Sequence, residues 1–316
     1  MLDNLDRRIL RELVKNNVMP FPSPTLRKSL RSMGKDLHVD QGTVRNRIRN
    51  FKQNGLLNEF YLGVNPSIFG YKIAAVWFDV WPQSEKENLK TKISLMDKVL
   101  LVCDYLGPRL STVFCYDTDE GLKKTVRFIT RMANSERVVW QNKPFLSTGN
   151  MKLTASDWKI IESLQRGDPW QKPYGLVAKE TGLSLKTVKK RIESLTEASA
   201  VYFLASINLN SFEGFVPADL NVFYVRPDVR EKVNQRITQF LGEQLVFADL
   251  GDKEHGYYAL SLASVASVRK IQNWVGRLDG ARSASVEVLQ DILSTSRFYK
   301  EQVRNRIEIP VRVSAS

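Results

Sequence analysis

The chain has 316 residues, 43% hydrophobic and 26% charged, with 47 Lys and Arg against 34 Asp and Glu, a formal charge of +13. That composition builds folded cores and excludes a disordered or fibrous chain. Two cysteines exclude a disulfide framework, and no stretch approaches the roughly 18–20 apolar residues that span a bilayer. The N-terminus carries Asp3, Asp6, Arg7 and Arg8 without an apolar secretion signal, so a cytoplasmic location is expected.

The positive charge is uneven. Residues 1–58 hold 12 basic and 5 acidic side chains, and residues 297–316 hold 5 and 2, so these two segments carry +10 of the +13. Localised basic charge points to phosphate, in nucleic acid or on an anionic membrane surface, or to no more than a solvated face.

In chain order, Leu2, Ile9, Leu10 and Leu13 recur at helical spacing and open a first amphipathic helix. Pro20, Pro22 and Pro24 mark a loop. Residues 35–44 then have the shape of a helix, a tight turn and a second helix. Asp40 stands where its side chain caps that second helix by accepting free backbone N–H groups. Val44, Ile48 and Phe51 lie at i, i+4 and i+7 and bury one stripe. The opposite face carries Gly42, Arg45, Asn46, Arg49 and Gln53. Arg and Asn suit guanine and adenine edges in the major groove, so Gln41, Thr43, Arg45, Asn46 and Arg49 are the candidate DNA contacts. Gly55 ends the helix as a left-handed cap, and residues 56–63 are expected to form a wing.

Beyond residue 59 the pattern alternates: strand 73–81, helix 85–96, strands 99–103 and 112–116, helix 120–132 and strand 138–140. That order is β-α-β-β-α-β, the ferredoxin-like arrangement. From residue 151 the whole pattern begins again. Leu153, Asp157, Ile160, Ile161 and Leu164 answer to Leu2, Asp6, Ile9, Leu10 and Leu13, and Thr187-Val188-Lys189-Lys190-Arg191-Ile192 answers to Thr43-Val44-Arg45-Asn46-Arg47-Ile48. Ser184 takes the place of Asp40, and Lys186, Thr187, Lys189 and Lys190 are the second set of candidate DNA contacts, with Lys serving phosphates as a point charge. Glu193 stands where the first copy has Arg49, so the first unit is expected to bind DNA more strongly. Strands at 220–225, 245–249, 257–262 and 285–289 and helices at 228–241 and 265–278 complete the second copy. The expected fold is α+β, with winged helix-turn-helix units at 1–58 and 151–202 alternating with ferredoxin-like (βαββαβ) domains at 59–150 and 203–296. The tail 297–316 reads either as an extra helix or as a basic arm.

These residues resemble the Lrp/AsnC family of prokaryotic transcription regulators, duplicated in tandem. The resemblance rests on Leu2-Asp3-Asn4-Leu5-Asp6-Arg7-Arg8-Ile9-Leu10, on Thr43-Val44, Arg47-Ile48 and Gly55-Leu56-Leu57, and on Val64-Asn65-Pro66 with Gly70-Tyr71. It implies that the helix-turn-helix binds double-stranded DNA, while the ferredoxin-like domain dimerises through its sheet and often binds an amino acid or another small effector. It also implies either a homo-oligomer or, because one chain holds two copies, an intramolecular pseudo-dimer. The family's effector loop reads Gly-x-x-Asp. Here Gly107 is followed by Pro108-Arg109-Leu110, and Gly251 by Asp252-Lys253-Glu254, so Gly107, Gly251 and Glu254 are the candidate effector-binding residues, with plain hairpin glycines as the alternative.

Other residues invite chemistry and have simpler readings. His38 and His255 are the only histidines and read as surface or turn residues, with no metal or catalytic cluster. Cys103 and Cys115 are expected roughly opposite each other on a hairpin, as two semi-buried thiols. Trp77 and Trp81 share a strand face with Ile73 that reads as core or dimer interface rather than a base-stacking platform. No cofactor, no enzymatic activity and no membrane partner are expected. The leading function is a sequence-specific regulator whose two recognition helices, about 40–54 and 184–197, enter successive major grooves. The alternatives are a nucleoid-type protein with little sequence preference and a sirohaem-decarboxylase-like enzyme on the same fold.

Overall fold

The computed structural model describes residues 2–14, 29–136, 138–143, 151–211, 214–249 and 253–308. The proline loop, Gly251 and the end of the tail lie outside the described residues. Helices α1 (Asn4–Val14), α2 (Leu30–Leu37) and α3 (Gln41–Gln53) lead through β1 (Leu57–Val64) into β2 (Lys72–Asp79), α4 (Lys86–Ser94), β3 (Val99–Tyr105), β4 (Arg109–Tyr116), α5 (Asp119–Ala133) and β5 (Val138–Lys143). The second copy repeats this order with α6 (Ala155–Gln165), α7 (Tyr174–Thr181), α8 (Leu185–Glu197), β6 (Val201–Ile207), β7 (Val216–Tyr224), α9 (Arg230–Leu241), β8 (Leu245–Asp249), β9 (His255–Leu262), α10 (Val265–Val275) and β10 (Ala281–Ser294). A last helix, α11 (Arg297–Glu308), follows.

Local chemistry sets the helix limits. Ser29 caps α2, accepting from Ser32 N at 3.0 Å, and α2 ends at His38 in the left-handed region, φ 58°. The turn is tight enough that a Cβ on Gly34 would lie 2.7 Å from the Val39 carbonyl oxygen. Asp40 then accepts from Thr43 N at 2.9 Å and starts α3. Ser184 does the same for α8, accepting from Thr187 N at 3.1 Å. Helices α3 and α8 both close in a Schellman arrangement: Leu56 N donates to Phe51 O and Ala200 N to Leu195 O, each at 2.8 Å.

Ile9, Leu13, Val44, Ile48 and Phe51 are buried in one apolar cluster together with Ile160, Leu164, Val188, Ile192 and Leu195 from the second copy. The two helical units thus share a core. The strand expected to be a free wing is the reason: β1 pairs antiparallel with β6, from Leu57 opposite Ile207 to Val64 opposite Val201. Its Leu57, Phe60, Leu62 and Val64 are buried, and Phe60 stacks on Trp170 at 5.0 Å. Helix α11 packs onto this joint through Phe298, Tyr299 and Val303, so residues 297–308 are an extra helix rather than a loose arm.

The remaining strands form one antiparallel sheet in the order β5-β2-β4-β3-β10-β7-β9-β8. Each half has the ferredoxin-like order, and β10 joins them. Residues 281–288 of β10 pair with β7, and residues 289–294 pair with β3. Strand β10 therefore runs well past the expected 285–289, because its far half finds a partner in the other copy. Lys90 ties the joint, lying 3.1 Å from Asp291 and 3.4 Å from Asp104, while Arg109 of the first copy reaches Glu287 of the second at 2.7 Å.

Three expectations are corrected. Cys103 faces Ser111 across β3 and β4, while Cys115 faces Ile73 across β4 and β2. The thiols are buried and free, and they are not opposite each other, because the hairpin is centred on Gly107 rather than on Arg109. His255 is buried, 2% exposed, with Nε2 3.0 Å from Asn221 Oδ1 and its ring 4.7 Å from that of Phe223. Trp81 lies beyond the end of β2 and is 56% exposed, so it does not share the interface face of Trp77. His38 is the turn residue its sequence implied. Among the described residues, no helix is long and apolar enough to cross a membrane, and no group of three His, Cys, Asp or Glu is placed to hold a metal ion.

Candidate nucleic-acid interface

The inward stripe of α3 leaves Gln41, Arg45, Asn46 and Arg49 exposed on its other side. Arg45 and Arg49 form no ion pair among the described residues, so their guanidinium groups face solvent uncommitted. Thr43 is half-buried, and both its backbone N–H and its hydroxyl donate to Asp40. Those hydrogen bonds hold the Asp40 carboxyl below the usual carboxylate range. On α8, Lys186, Lys189 and Lys190 are exposed, and Thr187 shares its hydroxyl with Ser184 Oγ at 2.9 Å. The two threonines thus build the caps that aim each helix, while the exposed cations and Asn46 form its outer face.

Arg47, in the middle of the same basic run, does something else. It pairs with Asp3 at 2.9 Å and with Asp6 at 3.1 Å, and Arg191 takes the equivalent place 3.6 Å from Asp157. Asp6 and Asp157 are 5% and 0% exposed. These pairs clamp α3 to α1 and α8 to α6. Their recurrence as the shared charged positions of both copies is the sequence signal that marks them, and Arg47 lies three residues after Val44, on the inward side.

In the sheets, Gly107 occupies the β3–β4 turn with φ 94°, and its carbonyl accepts from the buried Lys86 Nζ at 2.5 Å. Glu254 is exposed just before β9. Neither lines the cavity of about 230 Å³ that lies between the two halves of the large sheet. Its wall includes Trp77, Cys103 and Tyr105 from the first copy, Asp219 and Tyr257 from the second, and Leu10, Arg11 and Val14 of α1. Asp219 is 1% exposed and accepts from Tyr257 at 2.6 Å and from Tyr105 at 2.8 Å. Burial pushes its carboxyl up to about 6 against the pull of those two hydroxyls. Sequence reasoning passed over Asp219, since one acid in an alternating strand looks like an outward residue.

No family model matches the chain. The chain is 31% identical over 100 residues to the HTH-type transcriptional regulator Ptr1 of Methanocaldococcus jannaschii, a match covering 32% of this chain and 62% of that protein. It is 30% identical over 132 residues to an uncharacterised HTH-type transcriptional regulator of Pyrococcus furiosus, covering 41% of this chain and 80% of that relative. The chain belongs to the HTH-type transcriptional regulators. Over its full length this regulator also shares its fold with the siroheme decarboxylase NirDL, with a TM-score of 0.56 at 13% identity, covering 97% of this chain and 100% of the other. At that identity the likeness concerns the fold of the regulator and not its chemistry.

Proposed function

We propose that this regulator binds double-stranded DNA in a sequence-specific way, with α3 and α8 as its two recognition helices and with a small effector bound by its αβ half. One observation carries the reading. On α3 the uncommitted Arg45, Asn46 and Arg49 stand together on the exposed face, while the neighbouring Arg47 is consumed in a structural ion pair. Arg and Asn read base edges, and the lysines of α8 hold phosphates. The β1–β6 pairing supports a chain that carries both reading heads of a family dimer by itself. A cavity of about 230 Å³ is below the roughly 300–1,000 Å³ common for drug-sized ligands, and supports a small effector rather than a tetrapyrrole.

The test is binding to a genomic fragment pool at two salt concentrations, with sequencing of the bound fraction. Affinity falls with salt, by about 0.9 in log–log slope for each phosphate neutralised. An enriched pair of half-sites that survives the higher salt is the expected result. Salt-sensitive binding without a motif would make the protein architectural, and no binding would overturn the DNA reading.

A further inference from the structure

We infer that the cavity between the two sheet halves binds a protonated amine with a small apolar or aromatic body and no α-carboxylate. This deepens the effector part of the proposed function and rests on it. The volume, about 230 Å³, exceeds the roughly 150 Å³ that accommodates benzene in an apolar protein cavity. Ala75, Leu101, Val113, Ala259 and Leu289 give it apolar walls. Into these walls is set one carboxylate, that of Asp219, and among the described residues no cation pairs with it. A buried ionised carboxylate without a counter-ion is costly.

The cavity's own arginines do not neutralise Asp219. Arg7 lies over the Phe215 ring, 5.9 Å from its centroid, and Arg11 donates to the Glu243 carbonyl. Phe215 stands before the start of β7, and neither arginine forms an ion pair with Asp219 among the described residues. Around the carboxylate the lining is instead aromatic. Tyr105 and Tyr257 hold its two oxygens. Tyr105 also meets Ser111 at 3.3 Å, whose register partner on β2 is Trp77. A buried carboxylate in a cavity lined by Trp77, Tyr105 and Tyr257 is the chemistry that receives an ammonium group, through charge and cation–π attraction together. An α-amino acid would bring its own carboxylate beside Asp219 and be repelled.

The experiment is calorimetric titration of the full chain, without DNA, using 2-phenylethylamine, phenylalanine, 3-phenylpropionate and ethylbenzene. The amine is expected to bind at least tenfold more tightly than the other three. Asp219→Asn should erase that preference, and Ala259→Leu, which fills the cavity but keeps the carboxylate, should abolish binding. Equal binding of ethylbenzene would reduce the site to an apolar void. Tighter binding of phenylalanine or 3-phenylpropionate would reverse the charge assignment, and absence of amine binding would overturn the inference. The ligand series is read on the native chain, so it decides even where Asp219→Asn fails to fold. Because no DNA is present, failure here is separate from failure of the DNA reading.

Discussion

His38 and Gly182 occupy the same left-handed position at the end of the second helix of each unit, with φ 58° and 69°. An L side chain there costs roughly 1–2 kcal/mol, offset by the roughly 0.5–1 kcal/mol that glycine loses in chain entropy. His38→Gly should therefore stabilise the protein by about 0.5–1 kcal/mol in urea unfolding; a loss would mean that the imidazole makes a compensating contact. Asp219 gives a pH signature. Its folded value of about 6 lies above the ordinary 3.8, so the folded state holds a proton that the unfolded chain has released. Stability then falls as pH rises between about 4 and 6, by about 3 kcal/mol at 1.36 kcal/mol per unit. Tyr105, Tyr257 and Glu287 are the titratable groups that act on it; Glu287, pushed up by burial against the pull of Arg109, adds in the same direction. In Asp219→Asn this part of the fall should vanish, and parallel stability curves from pH 4 to 7 would show that Asp219 titrates normally.

The helices differ in what their outer faces offer. Arg45 and Arg49 present planar forks suited to bidentate contact, whereas Lys189 and Lys190 present point charges. Replacing Arg45 and Arg49 together by Ala should weaken DNA binding more than replacing Lys189 and Lys190, and equal losses in a binding titration would reject the inequality of the two units. The helices and their caps were legible because a 3.6-residue period records which face is buried. The same period distinguishes Arg47 from Arg45, although composition does not. The partner of β1 was not legible: alternation marks a strand with a buried face, and a wing and an inter-repeat strand satisfy it equally. Nor was Asp219, whose environment is built by Tyr105, 114 residues away, and by Tyr257 on another strand.

At the scale of the whole molecule, the repeats are joined twice, by β1 with β6 and by β3 with β10. The second joint buries Lys90 between Asp104 and Asp291, and breaking such a pair leaves uncompensated charge at a cost of roughly 3–5 kcal/mol. Two fragments cut after residue 150 and produced together should therefore co-purify as a one-to-one complex. Fragments that migrate separately in a mass measurement would show that covalent linkage, rather than these joints, holds the halves together.

The order of elements, the duplication and the two capped helix-turn-helix blocks were determined by sequence alone, because each leaves a local period or an internal copy of itself. Tertiary structure decided which strand β1 pairs with, how far β10 runs, that His255 is buried, and that Asp219 faces a cavity. Those outcomes depend on contacts between residues in different repeats or on different strands, and such contacts leave no period along the chain.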